Sequence, residues 1–465
     1  MLTYQDLMKS ASLTGFIDRA INEYKSDDMY KIAIDAEQYA KMQNTTIMNY
    51  RKLLYTITGE SVFDNYSANH KCASNFFNRF IVQENQFLLG NGVTFEEEKT
   101  KEALGGDEFD LRLQRAGIKA LIGGVSYGFL NLKEGSTYDV SVFDATEFVP
   151  LYDEETGALR SGIRFWQIAQ NKPLRATLFE EDGYTEYLKK EGEWSVLSPK
   201  RAYINVVSVS EVDGTEILDG ENYPALPIVP LWANPYHQSE LVGLKEQIDA
   251  YDLIKSGFAN DLDDVSMIYW TMTNAGGMDD VDLTKFLERL RVVKAVTIDD
   301  EVNLESHQID IPYQSRESYL QRLENDLYND AMALNMQQLA SNATATAIRA
   351  SYEPLNNKTD QYEYCVIDFI KGLLDLIRIE DSPTFKRSMI INQSEETQMV
   401  LSASQYLDDE TILKHLPFLN PDEIDDILSR LLKEEASRIE TVEEPKEQEE
   451  EEEEPEGENE EVEEE

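Results

Sequence analysis

The longest periodic stretch of the chain lies at residues 228–265. It is approached by a proline-punctuated lead in which Pro224, Pro227 and Pro230 stand among Leu226, Val229, Leu231 and Trp232. Proline lacks an N–H and fixes φ, so this lead is stiff and is not a central strand. Ser239 then offers a hydroxyl to an orphan N–H at a helix start. Leu241, Leu244, Ile248, Tyr251, Phe258, Leu262 and Val265 follow at three- and four-residue steps, which predicts one buried helical face. The opposite face carries Glu246, Asp249, Ser256, Asn260 and Asp264 and reads as polar. At 1.5 Å per residue, roughly 27 residues of helix would span about 40 Å.

The rest of the chain alternates helical and extended patterns. Residues 2–23 and 27–43 predict two helices, 49–61 a weak strand or loop, and 69–89 a clearer helix with Phe76, Phe77, Phe80, Ile81, Phe87 and Leu88 inside. That helix runs into Gly90-Asn91-Gly92, which invites a phosphate-loop reading. No GxxxxGK[ST] is present and no strand precedes the glycines, so a helix C-cap is the better account. Residues 109–121 predict a helix, and 125–210 an antiparallel β region with turns at Glu-Glu-Thr-Gly, Glu-Asp-Gly and Lys-Glu-Gly-Glu.

Residues 267–312 read as a strand, a Gly276-Gly277 turn, a helix over 282–291 and further strands. A second long helix over 314–334 carries Leu320, Leu323, Leu327, Ala331 and Leu334 in a near-heptad stripe. In residues 337–348 small polar residues predominate, and charge is absent until Arg349. A helix over 345–378 is interrupted by Pro354, with Phe369, Leu373, Leu374 and Ile377 on its buried face. A strand over 386–392 and three short helices follow, the last capped by Asn420 with Pro421 in its first position.

Charge changes this picture more than composition does. The formal net charge is −48. Residues 441–465 hold 16 Glu and 1 Lys, or −15, so the other 440 residues still carry −33. Such a chain lacks the cations that release counterions from nucleic-acid phosphates, so it does not bind DNA broadly. The Glu run from about residue 440 has nothing to bury and is expected to be disordered. No apolar run approaches a membrane span, and MLTYQDLMKS is not a signal peptide. Cys72 and Cys365 read as buried free thiols, and four scattered His with no Cys pair argue against a structural zinc site. Neither a cofactor nor a metal is implied.

The segment IDAYDLIKSGFANDLDDV behind its Pro-rich lead resembles the stem region of tailed-bacteriophage portal proteins, the siphovirus-type branch in particular. QENQFLLGNGVTF, the series ALIGGVSYGFLNLKEG then VFDATEFVPLYDEETGALRSGIRFW, and SEETQMVLSASQYLDDETILKHLPFLNPDEIDDILSRLLKEE are similar to that family in the same order. The resemblance covers residues 60–435. It implies an α+β fold with an α/β wing at 1–233, a first stem helix at 234–266 and a small α/β clip at 267–312. A second stem helix would follow at 313–336, then the tunnel loop, kinked tunnel helix and return strand at 337–391. A helical crown at 392–437 and a disordered acidic C-terminal tail at 438–465 complete it. Many relatives have a Ser-Gly pair where this chain has Thr344-Ala345 or Thr346-Ala347, which puts the loop's conformation in doubt.

The resemblance further implies a ring, twelve copies in its common form, at one capsid vertex of the virion and assembled in the bacterial cytoplasm. Double-stranded DNA would pass through it in packaging and ejection. The implied partners are the terminase large subunit, a head-to-tail adaptor, and the major capsid and scaffolding proteins, with no membrane. On this reading Glu246, Asp249, Ser256, Asn260 and Asp264 are candidates to line the channel. Gln337, Gln338, Ser341, Asn342, Thr344 and Thr346 would form the closest loop around DNA, and Lys245, Lys255 and Arg349 would be the few cations touching it. Acids facing DNA phosphates would repel, which suits a conduit. Two rivals stand beside this: an acidic, non-viral scaffold or adaptor, and a Mg²⁺-dependent nuclease using Asp261, Asp263 and Asp264. Those three acids share no helical face well.

Overall fold

The computed structural model describes residues 2–55, 59–64, 67–133, 137–209, 216–265, 269–273, 303–307, 313–336, 345–388 and 393–433, apart from 417, 418, 420–423, 425, 426 and 432. By its internal contacts the chain divides into residues 1–343 with 347–389, and residues 344–346 with 390–465.

The first unit opens on four helices, α1 (Tyr4–Lys9), α2 (Leu13–Ser26), α3 (Asp28–Ala40) and α4 (Thr45–Asn49). The helix predicted over 2–23 is two, because Ser12 accepts the Gly15 N–H and starts a new one. Thr3, Asp27 and Asn44 cap the others through their side chains. A hairpin of β1 (Leu53–Tyr55) and β2 (Ser61–Phe63) follows. The next helix, α5, covers Phe76–Leu89, so residues 69–75 are not helical as their pattern suggested. Gly90 closes it in right-handed conformation, and the left-handed residue is Gly92 (φ 75°), tucked against the Asp110 carboxylate. Strand β3 (Val93–Thr94), α6 (Glu98–Ala103) and α7 (Asp107–Gly123) complete the helical half.

The antiparallel region is two main sheets. Strands β4 (Val125–Leu132) and β5 (Tyr138–Asp144) form one with β13 (Ile228–Trp232) at its edge. Pro230 is tolerated there as the lead's pattern required. Strands β6 (Phe148–Tyr152), β7 (Leu159–Trp166), β8 (Arg175–Glu180), β9 (Gly183–Lys190) and β10 (Glu193–Arg201) form a five-stranded meander in sequence order. β11 (Ile204–Val209) pairs with β12 (Glu216–Glu221). Helices α1 and α2 cover the meander, burying Phe16, Ile17, Ala20 and Ile21 with Leu151, Ile163 and Leu178. Tyr127, Phe143, Phe148 and Phe179 fill the space between the two sheets.

Beyond the lead come α8 (Lys245–Val265) and the ladder of β14 (Tyr269–Thr273) with β15 (Asn303–His307). The helix and strand predicted within 282–298 lie outside the described residues. Then follow α9 (Tyr313–Asp330), α10 (Ala345–Ser351) and α11 (Glu353–Ile377). Pro354 stands in the first turn of α11, where its missing N–H costs nothing, and the chain breaks at Tyr352. α11 lies on the three-stranded sheet where two glycines make room. A Cβ on Gly128 would meet the Phe369 ring at 2.5 Å, and one on Gly372 would meet Val229 at 2.7 Å. Leu355, Tyr362, Val366, Ile370, Leu373 and Leu374 close the central core with α5 and α7. The strand expected over 386–392 lies earlier: β16 is Thr384–Phe385, two residues paired with β3, residues 386–388 are not strand, and 389–392 lie outside the described residues.

In the second unit, α12 (Gln393–Ala403) runs through a 3₁₀ turn, Ser404–Tyr406, to α13 (Asp409–His415), which Asp408 caps through the Thr411 N–H at 3.1 Å. The cap expected at Asn420-Pro421 and the Glu-rich tail lie outside the described residues.

Candidate functional site

The helices α8 and α9 pair antiparallel. Gln247, near the start of α8, donates to Asp330 at the end of α9, and Arg316, near the start of α9, pairs with Asp261 towards the end of α8. Between them Leu323 and Leu327 are buried, and Tyr328 and Tyr251 meet Phe76 and Phe80 of α5 edge-on at 4.9–6.1 Å. The stripe read from the sequence is kept in part: Leu323 and Leu327 are buried and Leu320 is half-buried, but the helix expected to reach residue 334 ends at Asp330, and Leu334 beyond it packs with Phe87, Tyr352 and Leu355.

The other face of α8 corrects the sequence reading. Three of the residues expected to line a channel are covered by the protein's own chain. Ser256 and Asn260 are 5% and 4% exposed. Ser256 Oγ accepts the Cys72 N–H at 3.0 Å, and Asn260 Oδ1 accepts the His70 N–H at 2.6 Å. One turn earlier, the fully buried Asp252 accepts the Asn44 side-chain N–H at 2.9 Å. Asp249 accepts Tyr39 Oη–H, and Thr46 at 2.8 Å. Residues 69–75 therefore run extended along the helix that was to face open space. Lys71 fastens them, its ammonium donating to the carbonyls of Ile47 at 3.0 Å, Met48, and Tyr50 at 2.9 Å. Conversely Leu262, expected in the apolar face, is 57% exposed. Ser239 does not begin the helix. It accepts the Leu241 N–H at 3.1 Å and donates to Ile122 O at 2.5 Å, and helix begins at Lys245.

The electrostatics follow these contacts. Burial works against the Asp249 carboxylate, but hydrogen bonds from Tyr39, Thr46 and Lys245 outweigh it and hold it below the usual carboxylate range. Burial disfavours the Lys245 ammonium, yet Tyr39 and Asp249 more than compensate and raise its pKa. Lys245 lies 3.1 Å from Asp249 and 3.4 Å from Asp35, so it is not the free cation proposed for DNA. At Asp252 the balance tips the other way: burial pushes its carboxyl up, and the hydrogen bonds from Asn44 and Ser74 and the charge of Lys255 do not offset it.

The remaining candidates divide cleanly. Glu246, Lys255, Thr346 and Arg349 are exposed, with Lys255 Nζ 5.9 Å from the centre of the Tyr251 ring. The loop residues Gln337, Gln338, Ser341, Asn342 and Thr344, and the Asp264 side chain, lie outside the described residues. Asp261 pairs with Arg316 and Asp263 lies 3.3 Å from His70 Nε2, so these two acids address different elements. Cys72 and Cys365 are free but half-buried, less enclosed than their apolar surroundings suggested. Among the described residues no helix is long and apolar enough to cross a membrane.

Sequence reasoning missed the seam formed by Asp252, Ser256 and Asn260. The signal was there: they continue the buried Ile248 at four-residue steps, with polar atoms in place of methyls.

Residues 28–455 match the family described as phage portal protein, SPP1 Gp6-like. The chain belongs to this portal family. Two portal proteins are similar to it. That of Clostridium phage phiCD119 is 22% identical over 384 residues, covering 76% of this chain and 83% of that one. That of Bacillus phage SPP1 is 24% identical over 450 residues, covering 88% and 84%. Among solved structures, a chain from the neck of an empty GTA particle computed with C6 symmetry aligns with TM-score 0.43 at 10% identity, covering 73% of this chain and 88% of that one. One from the neck of a native GTA particle computed with C12 symmetry gives 0.42 at 9%, covering 74% and 90%. The mixed helix and sheet of this portal chain, and the place of its long paired helices after the sheets, agree with the order its sequence implied.

Proposed function

We propose that twelve copies of this portal chain form a ring at one vertex of a phage capsid. Double-stranded DNA passes through that ring during packaging and ejection. The observation that carries this reading is the family match over residues 28–455. The paired stem helices support it, since rods held side by side along their length suit a wall. The net charge of −48 suits a lumen that does not hold its cargo.

Within that reading, α8 and α9 build the stem and residues 267–312 a clip that docks the terminase and then the head-to-tail adaptor. Residues 337–391 supply the tunnel loop and helix, and 392–437 the crown, with capsid and scaffolding proteins outside. The channel-facing set of the stem is narrower than its sequence suggests. Glu246 and Lys255 are exposed and available to face DNA, whereas Asp249, Ser256 and Asn260 hold the subunit together. The loop residues 337–346 would touch phosphates through hydroxyls and amides, without fixing register.

Negative-stain images of the purified protein test the ring: closed rings with a central hole are expected. Solitary particles in every condition, capsids included, would refute it and favour an acidic scaffold. Glu246→Lys tests the lumen. Slowed packaging with intact rings is expected, and unchanged packaging would place that face elsewhere.

A further inference from the structure

Inside the first unit, one lysine stands between two carboxylates from distant parts of the chain. Lys358 Nζ, in the second turn of α11, lies 2.8 Å from Glu84 Oε2 of α5 and 2.7 Å from Glu240 Oε2 in the turns leading into α8. Glu84 is 2% exposed. The second oxygen of Glu240 accepts the Asn234 side-chain N–H at 2.8 Å. A cavity of about 190 Å³ opens beside the three, lined also by Tyr236, Gln238 and Gln361.

Taken as ions, two carboxylates and one ammonium leave an unbalanced negative charge out of water, which is costly. Lys358 faces Glu84 as an ion pair without a well-directed hydrogen bond. Glu84 is the member that yields. Burial pushes its carboxyl up, Lys358 pulls against that, Glu240 adds to it, and the result is about 7. Lys358 and Tyr362 from α11 and Glu240 from the lead are the titratable groups that face it. From α7, the neutral Gln114 and Gly117 meet the neighbouring Asn85.

We propose that Glu84, Lys358 and Glu240 form a proton-controlled latch that fastens α11 to the lead of the first stem helix and loosens when Glu84 gives up its proton. With Glu84 neutral, Lys358 and Glu240 form a balanced pair. With Glu84 ionised, two carboxylates compete for one ammonium and the adjoining cavity can admit water. Glu84 titrates higher in the folded protein than its ordinary 4.5. The stability it contributes is therefore complete below that ordinary value and is lost as pH rises through about 7. The latch needs nothing from a ring or from DNA, so its test is independent of the function proposed above.

Amide hydrogen exchange on the full-length protein between pH 5.5 and 8.5, corrected for intrinsic rates, reads the latch directly. Residues 234–244 and 353–362 should exchange about tenfold faster above the transition, the equivalent of one pH unit of linkage. Glu84→Gln, which mimics the protonated form, should remove the step and keep protection at both ends. Glu240→Gln removes the competing charge and should move the step to lower pH. A wild-type profile without a step overturns the proposal, as does a step that survives Glu84→Gln. Should Glu84→Gln fail to fold, a step unmoved by Glu240→Gln overturns it equally.

Discussion

The two longest described helices of this protein bury opposite kinds of surface. α11 puts Leu355, Tyr362, Val366, Phe369, Ile370, Leu373 and Leu374 into the central core. α8 begins in the same way with Ile248, then buries Asp252, Ser256 and Asn260 beneath the segment 69–75. Shape and hydrophobic area hold the first in place, without direction, wherever apolar surface is offered. Directed bonds hold the second: each buried polar group answers an N–H that would otherwise be orphaned. The apolar seam tolerates small shifts. The polar seam fixes one register between the N-terminal segment and α8, since a slip of one residue breaks every bond at once.

The strongest test of the comparison attacks the apolar seam. Phe369→Ala should cost about 3–5 kcal/mol, because it removes a ring that fills the space above Gly128. A denaturant melt should show the whole first unit losing stability, and a loss under about 1 kcal/mol would show that the ring is not what seats α11. Next comes the polar seam. Ser256→Ala with Asn260→Ala leaves the N–H groups of Cys72 and His70 without acceptors, at about 1–3 kcal/mol each. The signature should be local: proteolysis and hydrogen exchange rise over 69–75 while the melt of the central core moves less. Equal loosening everywhere would mean the two seams are one.

Smaller again is Lys71→Met, which removes the ammonium from three carbonyls and should cost about 1.5–3 kcal/mol in total, read as a lowered Tm with exchange rising over 47–50. The smallest effect has the opposite sign. A Cβ at Gly257 in α8 would meet nothing within 4 Å. Gly257→Ala should therefore stabilise the isolated subunit by about 1 kcal/mol. Measured beside ring yield, it sharpens the picture. A stabilised subunit that assembles poorly would place a neighbouring copy against this notch.

The periodicities decided a good deal unaided. Leu323 and Leu327 of the predicted stripe, the faces of α5 and α11, the break before Pro354 and the antiparallel character of 125–210 all follow from local rules, and the structure has them. Those rules work because apolar side chains at helical or alternating spacing must be buried whatever covers them. Family membership was legible for a related reason: the order of segments survives where identities fall to 22–24%.

Only the folded chain decided what covers the other faces. Asp249, Ser256 and Asn260 read as solvated, and Asp252 is passed over, because a polar residue facing water and one facing a backbone N–H look alike in one dimension. The acceptor's partner lies about 180–210 positions away, at 39–72. The same distance hid the group formed by Glu84, Glu240 and Lys358, three unremarkable charges until the fold sets two carboxylates within 3 Å of one ammonium. A sequence sets which residues need burying or pairing. Which groups meet depends on long-range closure, and that is a property of the whole chain.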